Sequence, residues 1–566
     1  MNVSLPLEIE TSRGPGADPD FGAIIVGAGF GGLRMLYELR QLGISSKVID
    51  AASDVGGTWF WNRYPGARTD SESWVYCYSF SRELEQEWDW AERYPSQPEV
   101  LSYLQHVADR FDLRKDIEFD TRVESAVYDE DTNLWTITTD RGDTSTCTFF
   151  ISATGPLSRP LDPPFPGLDS FEGDWYLTAR WPDNQIDFAG KRVGIIGTGA
   201  TGVQLVPELA EQGAQVTVFQ RTPNFVIAAG NRQLTDEERN DIKNRYDEIW
   251  ARTQQQPGGF AMDGTTRSVK QSTREEQQQV FDEVWQAGGF QFLFQTFNDI
   301  MLNDRSNEAA AEFIRSKIQS IVNDPATAEL LSPKGYPLGA KRPPLGHSYY
   351  EAFNRDNVTL VDVSTNPIER ITPTGVRTGT DDHELDVLIF ATGFDGSTGA
   401  LMAMDIRGRN GESLQEKWVD GPRTYLGLAV DGFPNMFMVS GPQSPFANIP
   451  VIIDNAVRWI GRAVSHERLD HLDYLEATPD AVQAWVEETE MVLNASMVRR
   501  GESVHSWFLG ANVEGKPHAA FFFHGAANTY FDRIRDVADH GFDGFSGVSC
   551  DHAGGQPIGA AHATQS

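Results

Sequence analysis

The feature that most limits what this chain can fold into is one local pattern written twice: a strand, a glycine-rich turn, a helix and a second strand. The first copy reads Ala23-Ile24-Ile25-Val26, then Gly27-Ala28-Gly29-Phe30-Gly31-Gly32, a helical run carrying Leu33, Leu36, Tyr37 and Leu39, and Lys47-Val48-Ile49-Asp50. The second reads Val193-Gly194-Ile195-Ile196, Gly197-Thr198-Gly199-Ala200-Thr201-Gly202, a helix with Val203, Leu205, Val206 and Leu209, and Val216-Thr217-Val218-Phe219. Short β-branched runs suit buried strands, and the return to a strand after each helix makes a βαβ unit. In that setting the first glycine permits a tight turn, the second brings backbone against a pyrophosphate, and the third lets helix pack on strand. The pyrophosphate lies on the free amides of the helix N-terminus. An α/β protein with two Rossmann-like dinucleotide-binding domains is expected.

The residue that ends the second strand separates the two sites. In the first unit it is Asp50, whose carboxylate accepts hydrogen bonds from ribose hydroxyls, so this unit suits FAD or NAD. In the second unit the same offset lands on Gln220, followed by Arg221 and Thr222, with no acid. A guanidinium pairs with a 2′-phosphate that a carboxylate would repel, so this unit suits NADPH. Hydride would pass to a flavin, which then reduces a disulfide or quinone, or activates O2. The three cysteines, Cys77, Cys147 and Cys550, form no closely spaced redox pair, which favours O2.

Composition narrows the partners. Lys plus Arg is 47 against 81 Asp plus Glu, a net charge of −34, so phosphate backbones and anionic lipid surfaces are repelled and neither nucleic acid nor membrane is expected as a partner. No window approaches the ~18 apolar residues of a membrane span, and scattered cysteines suit a reducing compartment. The expectation is a cytoplasmic protein without a metal site, monomeric or weakly homo-oligomeric.

Between 228 and 333 the period becomes helical. Thr235 with Glu238, and Ser272 with Glu275, have capping-box spacing. Ile242, Tyr246, Ile249 and Trp250 share one helical face, as do Val280, Phe281, Val284 and Trp285. Extended runs resume at Val358–Val361 and Val387–Phe390. The expected division is an FAD-binding domain over 1–155 and 386–546, an NADP-binding domain over 156–227 and 334–385, a helical insertion over 228–333, and a flexible tail over 547–566.

After the first unit comes Gly56-Gly57-Thr58-Trp59-Phe60-Trp61-Asn62-Arg63-Tyr64-Pro65-Gly66-Ala67-Arg68-Thr69-Asp70. Small residues, Trp, an aromatic-Pro-Gly and a spaced Asp in this order closely resemble a motif of type I Baeyer–Villiger monooxygenases, which include cycloalkanone- and phenylacetone-oxidising members. Ala391-Thr392-Gly393, Lys341-Arg342-Pro343, and Ser506-Trp507 before Gly510-Ala511-Asn512 support it, and the resemblance runs from about Phe21 to Phe545. One position departs: the family's linker fingerprint has His where this chain has Leu177, between Phe171, Gly173 and Trp181-Pro182. Leu has no ring nitrogen, so a domain-coupling hydrogen bond is absent and coupling of NADPH oxidation to oxygenation is in question; alternatively Leu177 simply packs.

The resemblance implies that NADPH reduces FAD, that O2 adds to give a C4a-peroxyflavin, and that this attacks a ketone to give an ester or lactone, with sulfoxidation as a side activity. It assigns Arg342 to stabilising the anionic peroxide and Asp70 to pairing with that Arg. For FAD it carries over Gly27, Gly29, Gly31, Gly32, Asp50, Thr58, Trp59, Trp61, Asp70, Tyr76 and Val123. For NADP it carries over Arg68, Thr69, Thr198, Gly199, Ala200, Thr201, Gly202, Val203, Gln204, Arg221, Thr222, Lys341 and Arg342. It also matches Trp507 to a family Trp that approaches the nicotinamide ribose and the substrate. The loop Gly441–Pro450 resembles that of cycloalkanone-oxidising members, which implies cyclic or extended apolar ketones. The alternatives are an NADPH oxidase releasing hydrogen peroxide, supported by Leu177, and a non-catalytic flavin-binding protein.

Overall fold

The computed structural model describes residues 18–469 and 472–547; the expected tail, apart from Gly547, lies outside them. The first glycine unit forms strand Phe21–Val26, helix Phe30–Gln41 and strand Ser46–Ile49. Phe21–Val26 pairs in parallel with Ser46–Ile49 on one side and Thr144–Ser152 on the other. Antiparallel pairing through Leu134–Thr139 and Val123–Asp129 widens the sheet. Ile117–Glu118 adds to Ser46–Ile49 at the far edge, and Asp405–Arg407 and Met436–Met438 return from the second half of the chain, completing eight strands.

The second unit gives Arg192–Ile196, Ala200–Glu211 and Gln215–Gln220. Its sheet has five parallel strands in the order Val358–Asp362, Gln215–Gln220, Arg192–Ile196, Val387–Phe390 and Asp174–Leu177. All four residues of Val387–Phe390 are buried, as a central parallel strand covered on both faces requires. That strand belongs wholly to the five-stranded sheet, whereas a boundary at 386 puts it with the FAD-binding domain; the chain returns to the larger sheet only at Asp405–Arg407.

In both units the third glycine is demanded by space. A Cβ on Gly32 would lie 1.7 Å from the Gly27 carbonyl oxygen, and one on Gly202 would lie 2.2 Å from that of Gly197. Any side chain there would force the helix off its strand.

The helical segment holds Asp236–Asn244, Tyr246–Thr253, Arg274–Ala287, Asp304–Ile321 and Pro325–Leu331. The Thr235–Glu238 capping box forms as expected. The second box forms one residue later, between Thr273 and Glu276, because the Ser272 hydroxyl donates to the Ser268 carbonyl at 2.9 Å. The face expected through Ile242 and Trp250 is broken at Arg245 (φ −109°, ψ 10°), where one helix ends and the next begins. Tyr246 and Ile249 pack into the core of the first unit, whereas Phe281 and Val284 pack into that of the second. The insertion therefore touches both cores.

Leu177 ends the edge strand of the smaller sheet, opposite Phe390. It is 8% exposed in a cluster with Ile196, Phe219, Leu388 and Phe390. These surroundings are apolar, and they favour the packing alternative. Among the described residues no helix is long and apolar enough to cross a membrane.

Candidate functional site

A cavity of about 1970 Å³ opens where the segment 58–76, the second glycine turn, Lys341–Pro343, the Phe446 loop and the Trp507 segment converge. The first of these follows a sharp reversal at Gly56 and Gly57 (φ 135° and 53°), a left-handed backbone open to glycine. The short helix Thr58–Trp61 then places Thr58 and Trp59 on the wall. Trp59 is held by a hydrogen bond from its indole N–H to the Tyr76 hydroxyl oxygen, 3.2 Å, and Tyr76 also lines the cavity.

Asp70 and Arg342 meet at the cavity wall. Arg342 Nη2 donates to Asp70 Oδ2, and the guanidinium carbon lies 5.9 Å from the centroid of the Phe290 ring. Asp70 has 5% of its side chain exposed and Arg342 has 25%. Burial pushes the Asp70 carboxyl above its ordinary range, against the pull of Arg342. Asp70 Oδ1 has no hydrogen-bond partner among the described residues. The pair thus presents a cation clamped on one side, beside a carboxylate oxygen still uncommitted.

The second glycine turn supplies a contrasting surface. Thr198, Gly199, Ala200 and Thr201 line the cavity, and a Cβ built on Gly199 would meet no atom within 4 Å. Gly199 caps the helix Ala200–Glu211, whose first-turn amides point out of its N-terminus. Arg221 and Thr222 continue this wall, and the Thr222 carbonyl accepts from Thr198 Oγ1 at 3.0 Å. Lys341 stands near Arg221; burial, then repulsion from Arg221, draws its ammonium down to about 8. Among the described residues neither cation has an ion-pair partner, in a chain of net charge −34. Two unpaired cations beside a helix N-terminus make an anion site.

Other expected residues take different places. Gln204 lines the cavity with its amide engaged: Oε1 accepts from the Tyr64 hydroxyl at 2.8 Å and Nε2 donates to the Arg68 carbonyl at 3.1 Å. It ties the 58–70 segment to the helix of the second unit. Arg68 lines the cavity but pairs with Glu92 at 2.8 Å, and the Thr69 hydroxyl donates to the Ser71 carbonyl at 2.8 Å. Gly202 and Val203 lie behind the wall, buried.

Gly27, Gly29, Gly31, Gly32, Asp50, Trp61 and Val123 are not among the residues lining this cavity. Asp50 instead accepts from the Ala52 amide at 2.7 Å and the Ala28 amide at 2.5 Å, bracing the first glycine turn. Val123 packs with Ile24, Val26 and Ile49, and Trp61 lies edge-on to Phe60 at 5.0 Å.

Trp507 packs 5.4 Å from Phe446 and against Gly396, where a Cβ would come within 2.8 Å of the indole. Its segment is pinned by Asn512 Nδ2 donating to the Phe394 carbonyl and Lys516 Nζ to the Gly396 carbonyl, each 2.8 Å. Sequence reasoning missed Phe290, Leu293 and Phe294, which bring the insertion into the wall. The dense aromatic run Phe290–Phe297 was the available signal. Cys77 and Cys147 are free, buried and pushed up by burial, and Cys550 lies outside the described residues.

A model of the family described as pyridine nucleotide-disulphide oxidoreductase matches residues 24–322. A Baeyer-Villiger monooxygenase of Pseudooceanicola batsensis is 42% identical over 95% of this chain and 98% of its own length. A phenazine N-monooxygenase of Lysobacter antibioticus is 43% identical over 93% of this chain and 96% of its own. Among solved structures, a closed cyclohexanone monooxygenase superposes with a TM-score of 0.91 at 42% identity, covering 94% of this chain and 99% of that one. OTEMO in complex with FAD and NADP superposes at 0.90 with 38% identity, again over 94% and 99%.

Two outcomes are expected. Gly199→Ala should leave the unfolding temperature unchanged or slightly raised, since the methyl meets no protein atom, and raise KM for NADPH and NADH alike by about tenfold through collision with the pyrophosphate. Lys341, charged below about 8, should favour the 2′-phosphate there and release that preference as pH rises further. The NADPH-over-NADH ratio of kcat/KM should therefore fall by about tenfold between pH 7 and 10, and stay flat in Lys341→Met.

Proposed function

The chain belongs to the Baeyer–Villiger monooxygenase family, and from that membership we propose that it inserts one oxygen atom beside the carbonyl of a cyclic or extended apolar ketone, giving an ester or lactone, with sulfoxidation as a side activity. It is an FAD-dependent enzyme that uses NADPH and O2. The observation that carries the reading is the Arg342–Asp70 pair at the wall of a largely apolar cavity, beside the anion site of Lys341 and Arg221. When bound, the flavin supplies the electron transfer and oxygen activation that no side chain provides.

The side chains then have separate tasks. The guanidinium of Arg342 stabilises negative charge near the reacting carbonyl. Asp70 holds that guanidinium by one oxygen and keeps it from swinging into the solvent. Phe290, Leu293, Phe294 and Phe446 keep water from the reacting centre. Lys341 and Arg221 hold the 2′-phosphate, and the amides ahead of Ala200–Glu211 hold the pyrophosphate of the same nucleotide. The open space over Gly199 fits this group, as does the lack, among the described residues, of an ion-pair partner for either cation. We assign FAD to the eight-stranded unit, where Asp50, with lone pairs left after bracing the glycine turn, meets a ribose hydroxyl.

The oxidase alternative ranks behind this reading, because the relatives carry the names of oxygenating enzymes and Leu177 sits in an apolar cluster. Disulfide reduction is likewise disfavoured by the buried, unpaired Cys77 and Cys147. Self-repulsion at net charge −34 supports a monomer or weak homo-oligomer, and free cysteines support a cytoplasmic setting.

Arg342→Ala should retain FAD at full occupancy, read from the flavin absorbance, while ester formation falls by about 100-fold or more. An unchanged product yield would remove Arg342 from its assigned role.

A further inference from the structure

His524 stands in an aromatic part of the cavity wall with its ring nitrogens uncommitted. Its ring centroid lies 5.3 Å from that of Phe508 and 6.4 Å from that of Phe522, and both of those rings pack against Phe446, at 4.8 and 5.4 Å. Phe446 belongs to the loop that follows Gly441, so this compartment is the apolar end of the cavity. Nε2 is sealed from solvent and has no hydrogen-bond partner among the described residues. Nδ1 has no protein partner there either, yet it keeps an accessible edge on a residue that lines the cavity.

The protonation state follows from the surroundings. Burial draws the imidazole down to about 4, so at neutral pH it is uncharged and carries one N–H. A buried N–H without an acceptor is rarer and costlier than a buried lone pair without a donor. The proton therefore resides on Nδ1, and the ring offers the cavity a donor.

We propose that His524 is a specificity-determining residue that donates Nδ1–H to a second oxygen on the substrate, an ether, hydroxyl or carbonyl oxygen apart from the reacting carbonyl. The inference rests on the ketone-oxygenating reading above and names its substrate class more closely: apolar ketones carrying one further oxygen acceptor. A lone donor among aromatic rings fixes the orientation of an otherwise featureless ligand. It also discriminates, because a ligand with CH2 at that point leaves the N–H unpaired in a dry site.

The test uses the FAD-loaded enzyme and matched ketones in which oxygen replaces one CH2, beginning with 4-methoxycyclohexanone against 4-ethylcyclohexanone and continuing through longer homologues. Dissociation constants come from the change in flavin absorbance on titration, and lactone is measured separately. In the wild type at least one pair should favour the oxygen member, and His524→Phe should shift that ratio of dissociation constants by about three- to tenfold toward the CH2 member. His524→Asn, which keeps a donor, should restore part of the preference. A ratio unchanged by His524→Phe across all pairs would overturn the inference, as would a raised KM for NADPH with the ketone ratio intact, which would place the donor on the nucleotide. If the wild type binds these ketones with that preference but makes no lactone, loss of the preference in His524→Phe would uphold the inference and refute the ketone-oxygenating function. Lactone formation with an unaltered ratio would do the reverse.

Discussion

The contact between Asp70 and Arg342 joins residues 272 positions apart, one delivered by the segment after the first glycine unit and the other by the segment after the helical insertion. An acid with 5% of its side chain exposed and a cation with 25% give up solvation for that contact, and such a pair earns little net stability. Its worth lies in position. Once the two sheets are folded and docked, a guanidinium stands at a fixed point of an apolar wall, steadied by Asp70 on one side and the Phe290 ring on another. The remaining site residues are arranged around that point.

Electrostatics separates the cavity into regions with different ligands. Most cations of so acidic a chain are paired with neighbouring carboxylates, as Arg68 is with Glu92. Lys341 and Arg221 depart from that rule, and repulsion from Arg221 adds to burial in drawing the Lys341 ammonium down. Tyr64, Gln204 and the Arg68 carbonyl form a hydrogen-bonded strap between this region and the 58–70 segment. A shift of the second unit would therefore be felt at Asp70, two residues beyond Arg68. The aromatic end around Phe446, Phe508 and Phe522 carries no charge and suits an apolar ligand.

Much of this was legible in the sequence, for local reasons. Both βαβ units follow from hydrophobic period and glycine placement, and the third glycines Gly32 and Gly202 do what the pattern demands. What escaped was decided by contacts at long range. Ser272 and Thr273 are both fit to cap a helix, and the Ser268 carbonyl decides between them. The apolar run Val387–Phe390 reveals a buried strand but not which sheet takes it. Gln204 reads as part of a nucleotide turn, yet its amide is spent on Tyr64 and Arg68. Val123 is matched to a cofactor residue by resemblance, and the motif alone does not reveal that its side chain packs with Ile24, Val26 and Ile49. The insertion was recognisable as helical, but that its phenylalanines reach the cavity depends on the fold of the whole chain.

The most direct measurement is a mass balance with purified, FAD-loaded protein in air: NADPH consumed, hydrogen peroxide released, and ester or lactone formed across cyclic and linear ketones. The Baeyer–Villiger reading predicts that for at least one ketone the lactone formed matches the NADPH consumed, with little peroxide, despite leucine at position 177. Peroxide accounting for all the NADPH with every ketone would contradict it.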